Sequence, residues 1–304
     1  MKKFLMVLIL VILGFTISCK KETNERVLKV ILPSGTPLMA VGGLLDNSKF
    51  DFTIVNGQDP LQSAFASGEY DLIIAPFNLG AKLFLAGASS YKLESIITTN
   101  NTYIMSKTEI KDINELQNKK IMTYGTGSSP WIAYKALNDK YELNLTDVAQ
   151  ASASDVAGMF ASGSEDADVF LGAEPNITTL KEKKKLDFYV IDVSKSLDEV
   201  EYFIQACLFV KKDSNIDSSY LKLIEDNINN MNKKPGEYAN MVLGKNDFFD
   251  TLGSDVIAKA IPNCNIVYLK AKDSVAIIND FCALLNKYSP KVLNGKLMDE
   301  TFYN

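Results

Sequence analysis

The sequence has no histidine, and Arg26 is its only arginine. Without histidine, Ser–His and Cys–His nucleophile pairs and His-based metal sites are excluded. With no arginine after residue 26, the body holds no guanidinium fork to clamp a carboxylate, sulfonate or phosphate. Cysteine is sparse: after Cys19 come only Cys207, Cys264 and Cys282. Their spacing fits neither a disulfide framework nor a Cys-x-x-Cys metal pattern. Each lies among apolar residues, so three buried free thiols are expected. A formal net charge of −5 gives no basic footprint for nucleic acid. Nothing indicates a catalytic set, a metal site or a cofactor.

What is present is an ordinary globular composition, 47% hydrophobic and 23% charged, in a chain of 304 residues that accommodates two domains. Its first residues are the exception. Lys2 and Lys3 precede an apolar or small run over 4–18, and Cys19 follows. That is the charged and apolar pattern of an export signal, and it is short for a membrane span. The ending "FTISC" resembles a bacterial lipobox, although Thr16 stands where Leu is usual. The expectation is a signal peptide over 1–18, lipidation of Cys19, a polar spacer over 19–26, and a folded body outside the cytoplasm, anchored to the membrane.

From residue 27 onward, strand-like and helix-like segments alternate. Strands are expected at 27–35, 51–57 and 71–78, with helices at 37–46, 59–68 and 79–87, Asp59 acting as the cap of the second. The same grammar restarts at 120–127 and runs through a helix at 128–141, a strand at 148–153, a helix at 154–163 capped by Ser154, and a strand at 168–176. The tetrapeptide Phe-Ala-Ser-Gly closes a helix in both halves, at Phe65 and at Phe160, 95 positions apart. In each half an Asp and a buried strand follow it. This predicts an α/β fold of two like lobes around mainly parallel sheets. Lobe one is placed at 27–107 plus 213–304 and lobe two at 108–212, with hinge segments at 103–107 and 208–213. "KEKKK" (181–185) reads as a solvated helix face.

In open α/β sheets ligands bind beyond the carboxyl ends of the strands. Here those ends are Ser34, Gly35 and Thr36; Phe77 and Asn78; the turn "YGTGSSPW" with Thr126, Ser128 and Ser129; and Glu174. Gly125 and Gly127 allow close backbone approach, and Ser128, Ser129 and Pro130 start a helix, but the Gly-Lys ending of a P-loop is missing. Trp131 and Tyr103 are candidates for stacking on a planar ligand. Glu174 either pairs with a ligand amine or ring N–H, or caps the helix that follows it.

Together, "ILPSGTPLMA", the paired "FASGEYDLIIAPFN" and "FASGSEDADVFLGAEP", and "GTGSSPWIAYKAL" resemble the extracytoplasmic solute-binding proteins of ABC importers. The resemblance is nearest the group of nitrate, sulfonate, taurine and thiamine-precursor receptors. It implies a type II bilobal periplasmic-binding-protein fold, a ligand closed between the lobes, ABC permease subunits as partners and a monomeric receptor. The missing arginine counts against a charged amino acid, the aromatics near strand ends and Glu174 tilt the expected solute toward a neutral or nitrogen heterocycle, and a small sulfonate stays open. The alternative is an enzyme on the same bilobal fold acting on a small cofactor precursor. It would lack a general base poised near neutrality.

Overall fold

The structure, a computed structural model, describes residues 26–197 and 200–304. The signal segment, the spacer up to Glu25 and Cys19 lie outside the described residues.

Two sheets organise the chain. The first has strand order β11-β4-β10-β3-β1-β2, and the second β7-β6-β8-β5-β9. In the first, β1 (Leu28–Pro33) pairs in parallel with β2 (Phe50–Val55) and β3 (Leu72–Pro76). The antiparallel strands β10 (Ile204–Lys211), β4 (Tyr91–Thr99) and β11 (Ile266–Lys270) complete it. In the second, β6 (Lys120–Tyr124) lies parallel to β7 (Thr146–Gln150) and β8 (Val169–Gly172). There β5 (Tyr103–Ser106) runs antiparallel between β8 and β9 (Tyr189–Asp192).

Side-chain alternation explains why the first sheet is covered on both faces. Leu28, Val30 and Leu32 of β1, Leu72 and Ile74 of β3, and Leu208 and Val210 of β10 enter one core. Ile31, Ile73, Cys207 and Phe209 enter the other. The first core is closed by α1 (Thr36–Val41), α7 (Ser218–Lys233), α8 (Pro235–Val242), α9 (Asp247–Leu252) and α10 (Ser254–Ala260). The second contains residues of α2 (Asp59–Ser67), α3 (Phe77–Leu85) and the C-terminal α11 (Val275–Tyr288), and continues into the second lobe. There α4 (Ser129–Lys140), α5 (Ala153–Ser162) and α6 (Asn176–Glu182) flank the smaller sheet. Among the described residues no helix is long and apolar enough to cross a membrane. Cys207, Cys264 and Cys282 are free and buried.

Several expectations shift. Because β5 belongs to the second sheet and β10 to the first, the chain changes sheet at 100–102 and again between Asp192, where β9 ends, and Ile204, where β10 begins. The segments 103–107 and 208–213 are therefore largely strand, not connector. A four-residue strand that is buried throughout needs ladder partners on both sides, and β5 finds them in β8 and β9. The true crossings are tied by side-chain amides. Asn100 accepts from Phe203 N on its Oδ1 at 2.7 Å, and Gln205 donates through Nε2 to Asn101 O and Thr102 Oγ1. Helix caps also move: Gln58, not Asp59, precedes α2, and Ser152, not Ser154, caps α5. Only Lys181 and Glu182 of "KEKKK" are helical, since α6 stops there.

Candidate functional site

Strand ends from both sheets meet at a cavity of about 280 Å³, lined in part by the β1–α1 turn, the start of α2, the β3–α3 junction and the β6–α4 turn. That is near the low end of the roughly 300–1,000 Å³ usual for small-molecule sites. Lobe one contributes Pro33, Thr36 and Pro37 from the first turn, Gln58 before α2, and Pro76 and Asn78 from the β3–α3 junction. Lobe two contributes Tyr124, Gly125, Ser128, Ser129 and Pro130. Thr98, Gln205 and Ala206 form the part next to the crossings. None of these side chains is ionised at neutral pH.

The lobe-two wall is a tight turn. Gly125 and Gly127 take φ of 60° and 80°, values that favour glycine, and Ser128 N closes the turn on Gly125 O at 2.7 Å. A Cβ on Gly127 would come within 2.9 Å of Ser289 Oγ, at the end of α11, so glycine also permits the lobes to approach. Across the cleft Asn78 Nδ2 donates to Gly127 O at 3.3 Å, and Ser129 Oγ donates to Ile204 O. Farther out, Asp139 of α4 accepts from Tyr288 at 3.0 Å and pairs with Lys287 at 3.2 Å. Lys259 of α10 meets Glu182 of α6 at 2.7 Å. Two hydroxyls in the cavity wall, on Tyr124 and Ser128, are buried and have no partner among the described residues. Burial pushes the Tyr124 pKa up, so that hydroxyl is a neutral donor.

Of the residues expected from sequence, Thr36, Asn78, Ser128 and Ser129 are brought together at the cavity. Ser34 and Gly35 shape the turn that presents Thr36 without lining the space; Ser34 N bonds Val55 O and Gly35 takes φ 96°. Thr126 is exposed at the turn's tip. The other four lie elsewhere. Phe77 is fully buried between Phe281 and Phe302, because the first helical position after β3 faces the core. Trp131 packs on its own lobe, donating to Asp147 at 3.1 Å with Lys135 over its ring. Tyr103 donates to Asn263 O at 2.7 Å and lines a separate, polar hollow beside Asp192 and Asn265. Glu174 serves the start of α6 from one residue before the cap position, which is Pro175: its carboxylate accepts from Thr178 N and Oγ1. Burial raises its pKa, against the lowering effect of those bonds.

Sequence reading missed Gln58, Thr98, Tyr124 and Gln205. Gln205 did carry a signal, as the one amide in the apolar run "YFIQACLFV". A register shift between Ile204 and Ala206 takes it out of the ladder with β4.

No protein-family model matches the chain, and no curated protein does. Solved structures match over nearly its whole length. An ABC transporter protein from Parabacteroides distasonis superposes with a TM-score of 0.77 at 20% identity, over 91% of this chain and 98% of that one. The architecture is that of the ABC-importer solute-binding proteins. The periplasmic aliphatic sulphonate-binding protein SsuA of Escherichia coli shares this bilobal fold at a TM-score of 0.67 and 12% identity, over 90% of this chain and 92% of its own. The alkanesulfonate-binding SsuA of Xanthomonas axonopodis, bound to MOPS, follows at 0.56 and 12%, over 88% and 94%. In the solute-binding-protein fold the cavity described above occupies the space between the lobes.

Proposed function

We propose that this chain is the solute receptor of an ABC importer. It is exported, held at the membrane through lipid on Cys19, and captures one small solute between its lobes for delivery to permease subunits. The observation that carries this reading is the interlobe cavity. Strand ends and helix starts from both sheets converge on it, with two buried hydroxyls left without partners. Asn100, Asn101 and Gln205 tie the two crossings beside it, where a small rotation would open the lobes. The sulphonate receptors that share the fold support a small-solute ligand; a neutral or nitrogen heterocycle fits the uncharged walls as well.

Binding is favoured over turnover because the lining residues include no carboxylate, amine or thiol to act as base or nucleophile. The test is a native mass spectrum of the gently purified full-length protein, with solution scattering before and after ligand removal. One bound molecule recovered chemically unchanged, and a more compact liganded form, are expected. Recovery of a converted molecule would favour an enzyme instead.

A further inference from the structure

We propose that the cavity selects an uncharged solute bearing an N–H or O–H donor, and that the Oε1 of Gln205 receives that donor. The inference rests on the receptor reading of the same cavity and narrows it.

Charge is the first constraint on the solute. An ionised solute needs compensation when it leaves water, and among the described residues no ionised side chain lines this cavity. Helix N-termini could supply it through free N–H groups, yet those facing the cavity are blunted. Pro60 and Pro130 remove an N–H from the first turns of α2 and α4, and Pro76 occupies the cap position of α3. Asp59 already places a carboxylate in the first turn of α2. The donors that an oxyanion would require are thinned where it would sit.

Hydrogen-bond polarity is the second constraint. Gln205 Nε2 donates to Asn101 O at 3.1 Å and to Thr102 Oγ1 at 3.2 Å. A backbone carbonyl can only accept, so this bond fixes which end of the amide faces the crossing segment. Both amide protons are engaged, and among the described residues no donor reaches Oε1. The cavity therefore carries an oriented acceptor. A sulfonate or ionised carboxylate presents acceptors only, and would set oxygen against oxygen there. A ring amide, a chain amide or a hydroxyl presents the proton that Oε1 lacks. On the lobe-two wall the Tyr124 and Ser128 hydroxyls, buried and without partners, offer donors to a carbonyl or ring nitrogen of the same molecule.

The test is equilibrium dialysis of the full-length protein against an equimolar mixture of uracil, nicotinamide, glucose, ethanesulfonate, acetate and glycine, with retained molecules identified by mass. Retention of uracil, nicotinamide or glucose, and exclusion of the three ionised probes, is the expected result. Gln205→Met and Tyr124→Phe should each weaken the retained probe at least about tenfold, one hydrogen bond's worth. Tyr124→Phe keeps shape and removes only a hydroxyl, so it guards against a folding defect in the other variant. Retention of ethanesulfonate or acetate in preference to the uncharged probes overturns the proposal and leaves the receptor reading standing. Unchanged affinity in both variants overturns the assigned contacts. Retention of nothing overturns the receptor reading and the proposal with it.

Discussion

The two Phe-Ala-Ser-Gly units can be laid over one another element by element, with two extra residues between Gly163 and Asp168 compared with Gly68 and Asp71. Helix α2 ends at Gly68 and α5 at Gly163, both left-handed, with φ of 66° and 78°. Phe65 meets Tyr91 and Phe209 edge-on at 5.4 and 5.1 Å; Phe160 meets Phe170 and Phe188 at 5.1 and 4.9 Å. The following Asp does the same work in each. Asp71 accepts from Lys29 N at 2.9 Å and donates its own N–H to Lys29 O, clipping β3 to β1. Asp168 accepts from Lys120 N at 2.8 Å and donates to Lys120 O, clipping β8 to β6.

The units part company at their other ends. Before α5, Ser152 Oγ accepts from Asp155 N and closes the helix start. Before α2 no side chain caps, and Gln58 lines the cavity. After β3 the chain runs into Pro76 and Asn78 at the cavity, whereas after β8 Glu174 turns back onto Thr178. One architectural unit thus serves as site wall when its ends are open to the cleft, and as scaffold when its own side chains close them.

If the units are structurally equivalent, Phe65→Ala and Phe160→Ala should each cost about 3–5 kcal/mol of unfolding free energy in chemical denaturation. A cost below about 1 kcal/mol in either lobe would break the equivalence. The aspartates sharpen it. Asp71 is buried and also engages Arg26, while Asp168 is exposed. Asp71→Ala should cost about 1–3 kcal/mol, because the lost carboxylate is buried and holds both Lys29 N and Arg26. Asp168→Ala should cost about 1 kcal/mol or less, since water can replace the lost acceptor. Equal losses in the two variants would show that exposure does not separate the clips.

The repeat itself was legible because it is local: a helix, a left-handed Gly, an Asp and an apolar strand leave a mark in any single sequence. So were the turns carrying Thr36, Asn78, Ser128 and Ser129, where Gly, Ser and Pro follow strands. What escaped depends on partners distant in sequence. Gln205 reaches the cavity through a register shift against β4, 105 positions earlier in the pairing of Ile204 with Thr99, and Tyr103 is drawn from the cleft by a carbonyl on Asn263. Phe77 has the right chain position for a ligand contact, but the helix it begins turns it into the core. Periodicity can announce that a residue is helical without revealing which neighbour its ring will meet.

The smallest expected effect bears most directly on the closed end of the second unit. Ser152→Ala opens the start of α5 by removing the acceptor for Asp155 N, at a cost of about 0.5–1 kcal/mol. The retained probe's affinity should not change, because that helix start does not line the cavity. The measurement is a denaturation midpoint alongside dialysis on the same preparation. A loss of affinity without a loss of stability would mean that lobe two's cap communicates with the cleft, and the division between wall and scaffold would then have to be redrawn across α5.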